Sequence, residues 1–201
     1  MEQNDFIQKF GYSELYEWYN QPPQDRLGNF VSFSKEDPKK IVKYGENVGA
    51  EVLGVTTISS TVESDNPSKW RGAALCNEFG DLYLRKEKLA VGQKVYDEVL
   101  ELNYVRTRPW EHFITVPSEN YDTKREYVPR TNRPEWIKVN ILGKCIVKDN
   151  GECIPGQYCR PYDGKLKVHF GEAVPAENDW KGQKFYVIER FSKNTIMILM
   201  R

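Results

Sequence analysis

The chain has 201 residues, 39% hydrophobic and 13% aromatic, and its 29 basic side chains balance 29 acidic ones. That length carries one large domain or two small ones with a real core. The balance removes the broad field that draws nucleic acids or anionic membranes; no run nears the ~20 apolar residues of a membrane span, and the polar start MEQNDFIQKF is no signal peptide, so a soluble, non-secreted chain is expected.

The first candidate element is GYSELYEWY, residues 11–19. As a strand it sets Tyr12, Glu14, Tyr16 and Trp18 on one face. As a helix it sets Glu14 beside Glu17. Either way a carboxylate meets aromatic surface, one route to a general acid or base; the plainer reading leaves both glutamates in water. Short apolar, β-branched or aromatic runs then recur between turn signals, the pattern of an all-β domain. They are NFVSFS, KKIVKY, EVLGVTTIS, DLYLRK, HFITVP, IKVNILGKCIVK, KLKVHFG, KFYVIERFS and TIMILMR. Asn150-Gly151 and Asp163-Gly164 mark tight turns between them. The sole helical candidate is VGQKVYDEVLEL, residues 91–102, weakened by its valines and Gly92. The last two runs predict a hairpin, Phe185 to Phe191 and Thr195 to Met200, turning at Ser192-Lys193-Asn194. Its final strand is nearly all apolar and is expected to be buried on both faces. The fold expected is all-β, mainly antiparallel, with at most one short helix. A lead segment, residues 1–10, precedes a single domain over residues 11–201.

No Walker loop, Rossmann glycine pattern, HExxH or GxSxG is present. Two histidines, His112 and His169, give few possible dyads for nucleophilic catalysis and show no metal-ligand spacing. Of four cysteines, Cys145, Cys153 and Cys159 cluster in CIVKDNGECIPGQYC with gaps too wide for the usual structural zinc pairs. Free thiols are the expected state, a Cys153–Cys159 bridge or a metal the alternatives. YDTKREYVPRTNRPEW interleaves basic and aromatic residues as single-strand binders do, but Asp122, Glu126 and Glu135 blunt its field. Arg130 and Arg133, between prolines, and Arg160, in QYCRPYDGK, are candidates for carboxylate or ligand contacts. Strand entry and buried ion pairing are the plainer reading of these residues and, taken alone, the preferred one.

Three blocks carry a family resemblance: YSELYEWYNQPPQDRLGNFVSF with EVLGVTT, then KWRGAALCNEFGDLYL, then REYVPRTNRPEWIKVNILGKCIVKDNGECIPGQYCRPYDGK. The chain resembles the self-cleaving intramolecular-chaperone domain at the C-terminus of phage tail-spike and pre-neck appendage proteins, a glutamic-type autopeptidase. The resemblance implies a homotrimeric all-β module that helps a fibre assemble and then severs its own chain. The family cuts at a serine-aspartate junction, with the catalytic glutamate three residues beyond the aspartate. Here that glutamate maps to Glu14 and the junction to Phe10-Gly11, so serine and aspartate are both missing. Losing one positioned acid–base group typically costs about 10²–10⁴ in rate. The ten residues ahead of the junction leave no spike to release. The expectation is a trimeric virion component, acting as cap, decoration or fibre end, whose peptidase has decayed and whose Glu14 survives as a structural or interface residue. Its partners would be its own copies and other virion proteins, with no nucleic acid and no membrane, after synthesis in the host cytoplasm. An active self-cleaving peptidase is the first alternative. A nucleotide- or glycan-binding module is the second; no cofactor is required, but the resemblance allows a nucleotide.

Overall fold

The computed structural model describes residues 10–20, 22–47, 49–64, 72–105, 110–122, 124 and 126–201. Its strands are β1 (Tyr12–Trp18), β2 (Phe30–Phe33), β3 (Lys40–Lys43), β4 (Gly54–Thr57), β5 (Val62–Ser64), β6 (Leu84–Leu89) and β7 (Lys94–Asp97). Then come β8 (Leu102–Val105), β9 (Trp110–Thr115), β10 (Trp136–Lys148), β11 (Tyr158–Pro161), β12 (Ala173–Pro175), β13 (Phe185–Ser192) and β14 (Thr195–Met200). The only helical pieces among the described residues are 3₁₀ turns at Arg130–Asn132 and Lys167–His169. The all-β expectation holds.

Two compact units form: Met1–Asn66 with Arg130–Arg201, and Pro67–Pro129. In the first, the strand order β10-β4-β2-β3-β1 closes on itself because β1 also pairs antiparallel with β10. That ring is a small barrel, which leaves none of its five strands as a free edge. From β10 the sheet continues outward through β14, β13, β11 and β12. The long strand β10 therefore serves both parts. Lys138 to Asn140 pair with β4, and Trp136 to Leu142 with β1, while Gly143 to Lys148 pair with β14. Each half has its own packing. Trp18, Val31, Ile41, Ile137 and Val139 fill the barrel. Phe30, Val55, Cys145, Val147, Val187, Ile196 and Ile198 lead the other cluster, under the C-terminal sheet.

The C-terminal hairpin forms as expected, with Ser192 opposite Thr195 across its turn. In β14, Ile196, Met197, Ile198 and Met200 are all buried, as its apolar run predicts. Two predicted elements need correction. Residues 91–102 are not helical: they form β7, a turn in which Glu101 takes a left-handed φ of 53°, and the start of β8. The β-branched Val91, Val95 and Val99, with Gly92, outweigh the apparent helical spacing. KLKVHFG is not a strand but the turn Lys167–His169, with Leu166 and Val168 exposed.

The second unit is built from two antiparallel pairs, β6 with β9 and β7 with β8. Its anchor is Asp97, 1% exposed. One carboxylate oxygen accepts from the Val99 and Leu100 amides, and the other from the Thr115 amide and hydroxyl. Burial pushes its pKa up, but those hydrogen bonds outweigh it and hold the group below its usual range.

Candidate functional site

Strand β1 follows the two-residue period. Tyr12, Glu14 and Tyr16 share one face, while Ser13 and Leu15 are buried on the other. Glu14 is half-buried. Its Oε1 accepts from the Tyr12 hydroxyl and its Oε2 from the Tyr16 hydroxyl, both at 2.8 Å. Opposite Glu14 across the ladder stands the buried core residue Val139. Glu17, the second glutamate of the segment, pairs with Lys40 at 2.6 Å. The two carboxylates therefore do not form an acid–base dyad: opposite faces of the strand and different partners separate their roles.

The Phe10-Gly11 peptide lies where β10 passes from the barrel to the C-terminal sheet. Register slips there, between Tyr12 opposite Leu142 and Ser13 opposite Asn140. Gly11 has a φ of +67°, and a Cβ at this position would stand 2.6 Å from the Leu142 carbonyl oxygen, 2.7 Å from Asn140 Nδ2 and 2.9 Å from the Lys144 carbonyl oxygen. Gly143 faces it closely too, since a Cβ there would stand 3.0 Å from Gly11 Cα. Both residues must be glycine for the backbones to meet. The Gly11 carbonyl accepts from the Thr61 and Val62 amides at 3.0 and 3.2 Å. The Phe10 carbonyl accepts from Asn140 Nδ2 at 3.3 Å, and the same nitrogen donates to the Lys144 carbonyl at 3.0 Å. Sequence reasoning missed Asn140. It is flanked by Val139, Ile141 and Leu142 in the strand run IKVNILG, and that polar interruption was the available signal.

Ser13 is the cross-strand partner of Asn140 and shares its face; Glu14 and Val139 are on the other. The carboxylate and the amide that touches the Phe10 carbonyl thus lie on opposite faces of β1 and β10.

The three candidate arginines do not act as one cluster. Arg130 stacks its guanidinium 4.1 Å from the centre of the Trp136 ring. Arg133 ends the same turn, its amide donating to the Arg130 carbonyl. Arg160, on β11, is committed within the chain: it bonds Asp163 at 2.6 Å and Glu177 at 2.9 Å and lies 4.3 Å over Trp180. The Arg160 guanidinium holds the Glu177 carboxyl at a pKa of about 2, down from 4.5. Folded Glu177 stays charged where unfolded Glu177 has begun to protonate, so the pair's contribution is present above about pH 4.5 and is lost as pH falls through about 2. Glu177 is 56% exposed, which keeps the effect small through solvent screening. The expected result of Glu177→Gln is a slightly flatter acid limb in that window, with stability near neutrality changed little, measured by thermal unfolding across pH.

All four cysteines are free thiols, Cys76 exposed and the others buried. Burial pushes the Cys145 thiol upward. The Cys153 thiol is raised first by its hydrogen bond to Cys159 and then by burial. A thiol reagent added to the folded protein near neutral pH is therefore expected to label Cys76 alone, with all four reacting in denaturant. Labelling of Cys153 in the folded protein would overturn this. Among the described residues no group of His, Cys, Asp and Glu is placed to hold a metal; the side chain of His112 lies outside the described ones, and His169 pairs with Glu172 at 2.8 Å.

The family model of the Peptidase_G2, IMC autoproteolytic cleavage domain, matches residues 4–189. The preneck appendage protein of Bacillus phage PZA is 31% identical over 134 residues, 65% of this chain and 13% of that protein. The pre-neck appendage protein of Bacillus phage phi29 is 31% identical over 125 residues, 60% of this chain and 12% of that protein. This chain therefore spans about an eighth of the length of those curated relatives. The crystal structure of the bacteriophage phi29 gene product 12 C-terminal fragment aligns with a TM-score of 0.63 at 21% identity, covering 94% of this chain and 99% of that one. The pre-mature gene product 12 structure aligns at 0.67 and 20% identity, covering 96% of this chain and 22% of that one.

Proposed function

Because the chain belongs to the Peptidase_G2 family, the IMC autoproteolytic cleavage domain, we propose that it is a chaperone-like assembly module of a phage virion appendage in which self-cleavage at Phe10-Gly11 is silent. It works as a homotrimer, is made in the host cytoplasm and ends in the virion, docked on other structural proteins as cap, decoration or fibre end. One observation carries the silent part. Gly11 occupies a left-handed joint that has no room for a side chain, and Glu14 is bonded to Tyr12 and Tyr16 on the face away from Asn140. Hydrolysis needs carbonyl, water and proton carrier in one place. Here the carboxylate is separated from the carbonyl's hydrogen-bond donor by the strand itself. Glu14 serves as a structural residue that ties two tyrosines together.

The trimer is supported by apolar surface. Tyr158 and Tyr186 stack edge to face on the side of the C-terminal sheet turned from its core, with Ile146 on the same side of β10. They are 55%, 40% and 40% exposed, so this side of the sheet offers apolar surface that a second copy can cover. The test is the intact mass of the freshly expressed chain, repeated after prolonged warm incubation with and without ATP, with light scattering in parallel. A constant 23.5 kDa chain that scatters as a trimer is the expected result. A product starting at Gly11, abolished by Glu14→Gln, would replace this reading with that of a working peptidase.

A further inference from the structure

Asn140 is 2% exposed, and only half of its amide is accounted for. Nδ2 donates to the Phe10 and Lys144 carbonyls, whereas the buried Oδ1 has no hydrogen-bond partner among the described residues. Beside it, on the same face, the buried hydroxyls of Ser13 and Ser60 lie 2.6 Å apart. Two hydroxyls carry two protons, and their mutual bond uses one. The cluster therefore has one spare donor, on the serine pair, and one spare acceptor, on Asn140. Neither contacts the other directly. Buried polar atoms left over in this way are met by internal water, which needs two or more polar partners.

We infer that Asn140, Ser13 and Ser60 hold one buried water beside the Phe10-Gly11 peptide, and that Asn140 polarises the Phe10 carbonyl, making this face the electrophile side of a hydrolytic site. The inference rests on the reading of Phe10-Gly11 as the junction. Water donates to Asn140 Oδ1 and accepts from the serine pair, while Nδ2 acts at the carbonyl as an oxyanion donor acts in acyl transfer. In hydrolysis here the water oxygen bonds to the Phe10 carbonyl carbon and the bond to the Gly11 nitrogen breaks. One water proton goes to that nitrogen and the other leaves with the new carboxyl group. Whatever slow cleavage the chain retains runs through Asn140 and not through Glu14.

A high-resolution crystal structure of the unsubstituted chain is expected to contain an ordered water within hydrogen-bond distance of Asn140 Oδ1 and of a Ser13 or Ser60 hydroxyl. A dry site there overturns the inference. Loss of residues 1–10 under prolonged warm incubation is then compared by mass in the unsubstituted chain, Asn140→Leu and Glu14→Gln. Leucine keeps the shape of asparagine and removes the donor, and the loss of one such donor slows reaction by about 10²–10³-fold. Asn140→Leu is expected to slow release by that factor and Glu14→Gln to leave it unchanged; the reverse order overturns the inference. If the bond outlasts the incubation in every chain, or if Asn140→Leu fails to fold, the crystal result alone decides. Rapid release by the unsubstituted chain would sink the silent-peptidase reading yet leave this comparison intact.

Discussion

Gly11→Asp, the substitution that would supply the acid the family resemblance places at this position, is expected to lower the melting temperature and to leave the chain uncut. The φ of +67° at Gly11 already penalises any side chain. Aspartate tolerates that region better than most residues, but the closer obstacle does not depend on residue type. Two of the three nearest atoms to its Cβ would be carbonyl oxygens of β10, at 2.6 and 2.9 Å. These belong to a strand paired on both sides and cannot swing aside as a side-chain tip could. Left-handed strain at a residue other than glycine costs about 1–3 kcal/mol, with the clash in addition. For a chain of this size each kcal/mol lowers the melting temperature by roughly 2–4 °C, so a fall of at least several degrees is expected in differential scanning calorimetry. Gly11→Ala should fall nearly as far, because the Cβ alone meets the obstacle. A Gly11→Asp protein with unchanged melting temperature that sheds residues 1–10 would show that the joint opens readily and that only the acid was missing.

The contrast at Gly11 also shows what the sequence could and could not reveal. The absence of an aspartate at position 11 mattered only through the family resemblance, while the face of β1 that carries Glu14 was legible because it depends on the two-residue period alone. That the glycine is required by close approach of β10 was not legible. It depends on Gly143, 132 residues away, and on a register slip that no local pattern encodes. The C-terminal hairpin was readable because its apolar run has one consistent burial. Residues 91–102 misled because valine, leucine and tyrosine spaced three and four apart satisfy a helix template while their branching favours strands. Strands β11 and β12 carry no period-two signal; they exist because β13 offers an edge for β11, which in turn pairs with β12. Asn140 was passed over, although a polar residue between Val139 and Ile141 is a signal that points to a buried partner without naming it.

The same limit hid the ion pair from which the largest stability loss is expected. Asp149 follows the end of β10 with its side chain wholly buried, and Arg190 reaches it from β13. Arg190 Nη1 donates to Asp149 Oδ1 at 3.1 Å and Nη2 to Oδ2 at 2.7 Å. Arg190 also donates to the Cys153, Ser192 and Lys193 carbonyls, and Asp149 accepts from the Cys153 amide at 3.2 Å. One arginine thus fixes the hairpin turn and the loop that carries Cys153. Arg190→Met keeps most of the packing but leaves a carboxylate with no cation in a site without water access. Removing one partner of such a pair costs about 3–5 kcal/mol, whereas replacing both with uncharged groups of similar volume is often close to neutral. Asp149→Asn with Arg190→Met is therefore expected to recover most of what Arg190→Met alone loses, read as the urea midpoint at unchanged slope. If the double variant is as unstable as the single one, the loss belongs to the arginine's bonds to the turn carbonyls. The ion pair would then be incidental to the hairpin it spans.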